Sequence, residues 1–224
     1  MPSTGRLCPN CRKPGALCVC AALAPIANRI FLLILQHPQE RDRTLGSAVL
    51  AQRQFRRSRL AVGLSWPGLD AALGAAADPR RWAVLYLGAA RPVIERGKGA
   101  LRALDAAGEI IADQKAALAG IEGIVLLDGS WSQAKALWWR NPWLLRLRRL
   151  VLAPPTPSLY GALRREPRAE GLATIEAAAL ALAFLEGDPA IAAQALAPFR
   201  LLLECHAARN PATAPRRPDR RKRR

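Results

Sequence analysis

Apolar and polar positions follow two rhythms along this chain. Short unbroken apolar runs rich in branched residues, at 30–36 and 124–127, read as strands buried on both faces. Residues 60–64, 82–87 and 147–152 read as further short strands. Between them apolar positions recur at helical spacing. The pattern predicts a helix over 44–57 with Thr44 as its cap, an alanine-rich helix between the strands at 60–64 and 82–87, and a helix near 110–119. Another helix starts after Ser130, and two Ala/Leu-rich helices over 172–185 and 189–205 close the pattern. Pro154, Pro155 and Pro157 force an irregular loop before them. Strand and helix alternate throughout, which predicts an α/β fold with a mostly parallel sheet flanked by helices. No internal repeat interrupts this order.

Composition adds a partner class. The 224 residues are 51% hydrophobic, enough for one substantial α/β domain with a small appendage. Lys and Arg number 34 against 17 acids, a net charge of +17. Residues 209–224 supply +7 of this and the body keeps +10, so the excess is not confined to a solubilising tail. Such a balance favours a polyanionic partner, nucleic acid ahead of a membrane surface. The stretch 211–224 is proline and arginine with no apolar residue beyond alanine, and is expected to be disordered. No apolar run is long enough to cross a bilayer, and the first residues lack the apolar core of a signal peptide. The chain is therefore expected in the cytoplasm with reduced thiols.

Four of the five cysteines fall within thirteen residues, as Cys8-x-x-Cys11 and Cys18-x-Cys20. Two close thiolate pairs joined by a short loop supply all four corners of a tetrahedral zinc site, with no position left open for substrate. A structural zinc knuckle over 1–24 is expected, ahead of a main domain over 25–208 and the basic tail over 209–224. Cys205 stands alone in a helix and reads as a small buried apolar residue.

Three polar loops carry the remaining chemistry. The run 124–127 stops at Asp128-Gly129, and Ser130 caps a helix expected to carry Trp131, Trp138, Trp139 and Trp143. A carboxylate at the carboxyl end of a parallel strand, beside a helix N-terminus, lies where open α/β sheets place their ligands. His37-Pro38-Gln39-Glu40 follows the first strand, which puts a second polar loop on the same sheet edge. Taken singly, His37 reads as a loop histidine and Glu40 as a solvated charge. Arg164 and Arg165 follow the proline-rich turn, and a guanidinium pair suits phosphate or carboxylate, unless Glu166 neutralises it. Thr174 and Glu176 open a helix, where capping and dipole complementarity are the simplest roles. The tryptophans at 138, 139 and 143 are assigned mainly to the core, with RNA stacking as the alternative. The first strand is not followed by Gly-x-Gly-x-x-Gly and no Walker loop is present, so a conventional dinucleotide or P-loop site is disfavoured.

Taken together, these motifs resemble the DTW-domain family of tRNA-uridine aminocarboxypropyltransferases. Asp128-Gly129-Ser130-Trp131 is similar to its Asp-x-Thr-Trp hallmark, with serine keeping the hydroxyl. Cys8 to Cys20 resembles its cysteine knuckle, 37–40 its His-Pro-x-Glu element, and 164–167 its Arg-Arg-x-Pro element. Residues 173–177 resemble its Ser-Thr-x-Glu-Ala element except at Ala173. The resemblance implies a SPOUT-like fold with a carboxyl-terminal knot. It implies transfer of the 3-amino-3-carboxypropyl group of S-adenosylmethionine to N3 of a uridine in tRNA, with methylthioadenosine released. Asp128 would be the base for the N3 proton, with Ser130 and Trp131 beside it. Trp131 would stack on uracil or adenine, or brace the loop. His37, Glu40, Arg164, Arg165, Thr174 and Glu176 would hold the co-substrate, the arginines at its carboxylate and Glu40 or Glu176 at its amino group. Two rival readings are a SPOUT-type RNA methyltransferase with the same donor, and a non-catalytic zinc-containing RNA-binding protein.

Overall fold

The computed structural model describes residues 7–85, 101–154, 156–163 and 171–210. Arg164, Arg165 and the basic stretch 211–224 lie outside the described residues. Six strands form one mixed sheet: β1 (Phe31–Gln36), β2 (Ser58–Val62), β3 (Trp82–Leu85), β4 (Leu101–Leu104), β5 (Gly123–Asp128) and β6 (Arg148–Leu152). Their spatial order is β2-β1-β5-β3-β6-β4. Five are mutually parallel, and only β4 runs antiparallel, on β6 at one edge. The helices are α1 (Ala48–Gln54), α2 (Leu69–Leu73), α3 (Gln114–Leu118), α4 (Trp131–Arg140), α5 (Thr174–Glu186) and α6 (Ala190–Arg209). No helix among the described residues is long and apolar enough to cross a membrane.

The unbroken apolar run of β1 has a simple cause. Leu32 and Ile34 face a core layer that includes Leu50 of α1, Ile175 and Leu182 of α5 and Phe199 of α6. Leu33 and Leu35 face a second layer with Leu69, Ala72, Trp143 and Leu144. A strand covered on both faces needs apolar residues at every position. β1 pairs with β5 in register from Phe31↔Gly123 to Gln36↔Asp128. Gly123 is fixed by packing, since a Cβ there would stand 2.6 Å from the Trp82 ring. The knuckle joins the same body, with Cys11, Leu17 and Val19 in the first core layer.

Several elements differ from the expectations. The helix expected over 44–57 begins at Ala48, and Thr44 lies in a turn rather than capping it. The carbonyls of Arg43 and Gly46 are both taken by the Lys13 ammonium, which holds 43–46 as a turn. The helix near 110–119 is only α3, capped by Asp113 through the Ala116 amide at 2.9 Å. Ile110 and Ile111 instead pair with the chain at Leu104 and Ala103, so cross-strand bonding overrides their helical spacing. β4 itself was not expected. α6 runs on to Arg209 despite Pro198. Proline leaves the carbonyl four residues back without its helical donor, and the buried Gln54 amide donates to the adjacent Ala195 carbonyl at 2.8 Å.

Candidate active site

The register that aligns Gln36 with Asp128 sets the site. Both strands end there, so two polar side chains stand side by side where the apolar layers stop. The Gln36 amide donates to Asp128 Oδ2 at 2.8 Å, and the Thr174 hydroxyl, from the first turn of α5, donates to Oδ1. The His37 amide donates to the Asp128 carbonyl at 2.9 Å. Asp128 is 8% exposed and Gln36 2%, so the carboxylate is clamped at both oxygens, each with one lone pair left. Gln36 Oε1 is buried with no hydrogen-bond partner. It is an acceptor at the site still without a donor, and such a buried atom calls for a ligand or water.

Gly129 lets α4 start directly behind the aspartate, because a Cβ there would meet Gln133 Cβ at 2.8 Å. Ser130 and Gln133 form a reciprocal capping box, in which Ser130 N donates to Gln133 Oε1 at 2.6 Å and Gln133 N to Ser130 Oγ at 3.5 Å. The Gln133 amide also donates to Gln39 Oε1 at 3.0 Å, joining the two strand-end loops. Trp131 is half-buried, and the Lys135 ammonium lies 5.5 Å from its ring centroid.

The 37–40 loop is a short 3-10 turn. His37 Nδ1 accepts from the Gln39 amide at 3.3 Å, which leaves its ring proton on Nε2. Glu40 is 4% exposed, with the Arg43 guanidinium 3.5 Å from its carboxylate; it is not a solvated charge. Glu176, also 4% exposed, accepts from the Ser158 hydroxyl (2.6 Å) and from the Leu159 and Ala173 amides (both 2.8 Å). It thereby fastens the loop 158–160 to the start of α5. The Tyr160 hydroxyl donates to the Leu45 carbonyl at 2.8 Å, and Ser47 Oγ accepts from the Ile175 amide at 3.2 Å. The 44–47 turn, the 158–160 loop and the start of α5 are thus stitched around Asp128.

The four cysteine sulfurs lie within 4.8 Å of one another, with Cys8–Cys20 at 3.6 Å and Cys11–Cys18 at 3.7 Å. Zinc–sulfur bonds of ~2.3 Å in a tetrahedron require sulfur separations of about 3.8 Å, so the set fits a metal. Backbone amides of Cys11 and Asn10 lower the Cys8 thiol to about 6, whereas burial and the neighbouring sulfurs push Cys20 up to about 12. Four sulfurs this close ionise together only with a cation among them. Arg12, at φ 57°, turns the chain inside the knuckle and its guanidinium pairs with Asp42, Nε to Oδ1 at 2.9 Å. Next to it Lys13 is 2% exposed, donating to the Arg43 carbonyl at 3.0 Å. Burial pulls its ammonium from the usual 10.5 to about 8, while the charges at Cys11, Asp128 and Asp42 act the other way. The knuckle is therefore tied to the 42–46 segment, next to Ser47, which bonds the start of α5.

With this geometry in view, sequence comparison decides the family. The DTW domain matches residues 5–206, which takes in the knuckle, both strand-end loops and the start of α5. The chain belongs to the DTW-domain family. It is 31% identical over 207 residues to a Drosophila melanogaster protein named tRNA-uridine aminocarboxypropyltransferase 2, covering 90% of this chain and 75% of that one. Proteins of the same name from Mus musculus and Macaca fascicularis are 28% and 26% identical over 200 residues, covering 87% of this chain and 61% of each. No solved structure matches it.

Among the expected site residues, this DTW chain brings Asp128 and Thr174 into direct contact, with His37 bonded to Asp128 through the backbone. Gln36, Lys13, Ser47 and Tyr160 were not singled out in the sequence. Only Gln36 left a signal, as the one polar residue closing an apolar run, matched by Asp128 closing another.

Proposed function

We propose that this chain transfers the 3-amino-3-carboxypropyl group of S-adenosylmethionine to N3 of a uridine in tRNA, in the cytoplasm. The observation that carries the reading is a carboxylate clamped by Gln36 and Thr174 at the joint edge of β1 and β5, inside a match to the DTW domain. Names of the relatives support the tRNA-uridine substrate. A SPOUT-like class with a knotted carboxyl-terminal part belongs to this reading and rests on the family resemblance.

In this mechanism Asp128 takes the N3 proton of the uracil imide as the nitrogen attacks the γ-carbon. Gln36 and Thr174 hold the carboxylate plane so that its free lone pairs face the substrate. The bound co-substrate supplies a sulfonium leaving group, and methylthioadenosine departs as the N3–carbon bond forms. What remains is orientation of the γ-carbon rather than the methyl group. Arg164 or Arg165 takes the carboxylate of the transferred group. Glu40 and His37 line the amino-group side, and the orphaned Gln36 Oε1 accepts a donor from the bound reactants. Glu176 and Ser130 act by holding loop and helix in place, and Trp131 flanks the reacting base. Cys8, Cys11, Cys18 and Cys20 would hold a structural Zn2+ that would brace the knuckle, whose Arg12 and Lys13 reach Asp42 and the carbonyls of Arg43 and Gly46.

The test is nucleoside mass spectrometry of tRNA after incubation with the protein and S-adenosylmethionine. Aminocarboxypropyl-uridine together with methylthioadenosine is the expected result. Methylated nucleoside with S-adenosylhomocysteine would identify a methyltransferase instead. Tight tRNA binding with neither product would mark a non-catalytic RNA-binding protein.

A further inference from the structure

Trp139 is 78% exposed, more than any other large apolar side chain among the described residues, whereas Trp143 is buried at 7%. Trp143 and the partly buried Trp138 pack in the core as expected for most of these tryptophans, and Trp139 is the exception. Its place is specific. On α4, Trp131, Lys135 and Trp139 stand at successive four-residue steps, which places them along one slowly winding stripe. The stripe begins at the capping box behind Asp128, with Lys135 stacked toward the Trp131 ring, and ends at an exposed indole followed by the exposed Arg140. At ~1.5 Å per residue the two indoles are about 12 Å apart along the helix, roughly three to four nucleotide rises of a stacked strand.

The charge on the helix has one sign: α4 carries Lys135 and Arg140 and no acidic residue. A buried role would hide such an indole, and a protein partner would not require an acid-free flank. Exposed aromatic faces alternating with cations match the way single-stranded nucleic acid is held: bases stack on rings while ammonium and guanidinium groups meet the phosphates.

We infer that the Trp131–Lys135–Trp139 stripe of α4 is the landing strip for the unpaired loop of the tRNA. The target base lies at Trp131, and a neighbour three or four nucleotides away stacks on Trp139. The inference rests on the tRNA-modifying reading above and extends that site along α4 to Lys135 and Trp139.

The test measures two quantities on the full chain, tRNA affinity by fluorescence anisotropy of labelled tRNA and KM and kcat from nucleoside mass spectrometry. Trp139→Ala raises both Kd and KM for tRNA about 10-fold, with the loss in KM rather than kcat, while Trp139→Phe restores most of it. Lys135→Gln lowers the slope of log affinity against log salt by about 0.7, whereas Trp139→Ala leaves that slope unchanged. The stripe is overturned if Trp139→Ala binds tRNA as wild type does, or if light scattering shows wild type as a dimer that this variant dissociates without altering Kd for tRNA. Failure of wild type to yield aminocarboxypropyl-uridine would sink the catalytic reading alone, since the binding arm judges the stripe separately.

Discussion

Glu176 offers the sharpest separation between a fastening role and a ligand contact. Replacing it with alanine strips an acceptor from the Ser158 hydroxyl and the Leu159 and Ala173 amides at once. Two backbone N–H groups left without acceptors cost about 1–3 kcal/mol each. Relief from burying a carboxylate offsets part of this, leaving a net loss of about 2–4 kcal/mol. Glu176→Gln keeps one acceptor oxygen but turns an NH2 toward a donor, so it loses about half as much. In a chain of this size each kcal/mol lowers Tm by about 2–4 °C, so the alanine variant melts roughly 10 °C early. Urea denaturation reads the free energy, and hydrogen exchange at the Leu159 and Ala173 amides reads the local release. An alanine variant with wild-type midpoint and protection that has nonetheless lost S-adenosylmethionine binding in calorimetry would refute the fastening role and make Glu176 a ligand contact.

Other outcomes follow from the same geometry. Asp128→Asn retains the shape of the clamp and lowers kcat by about 100-fold or more while Tm moves little, read by product formation and thermal melts; wild-type turnover would remove Asp128 as base. Gly129→Ala drives a Cβ into Gln133, and urea unfolding should show a loss of about 1–3 kcal/mol together with reduced activity. Metal analysis of the purified protein should give about one zinc per chain, and Cys11→Ser should release it. Because Lys13 and Arg12 tie the knuckle to 42–46, the same variant speeds hydrogen exchange in that turn, which a knuckle serving only to grip RNA would not do.

Much of this protein was legible because its signals are local. The apolar runs of β1 and β5 need no partner to be recognised, since burial on both faces demands apolar residues at every step. Cysteine spacing gave the knuckle, and Ser130 gave the start of α4, because capping is decided within one turn. Misplaced elements are those whose fate is set from a distance. Ile110 and Ile111 have helical spacing yet pair beside β4, and Thr44 would cap a helix were its turn not held by a lysine thirty residues earlier. The charge excess named a polyanionic partner, but it could not say which face meets it.

What the sequence determined by itself was the α/β order, the four-thiol set, the basic excess and the strand-end position of Asp128, all properties of neighbouring residues. Tertiary structure alone decided that Gln36 and Thr174 share that carboxylate, that Glu176 fastens a loop, and that Lys13 ties the knuckle to the 43–46 turn. Only the fold could expose Trp139 while burying Trp143. Each of these depends on how strands, helices and loops dock in three dimensions, and contacts spanning 17 to 128 residues leave no spacing pattern in the chain to read.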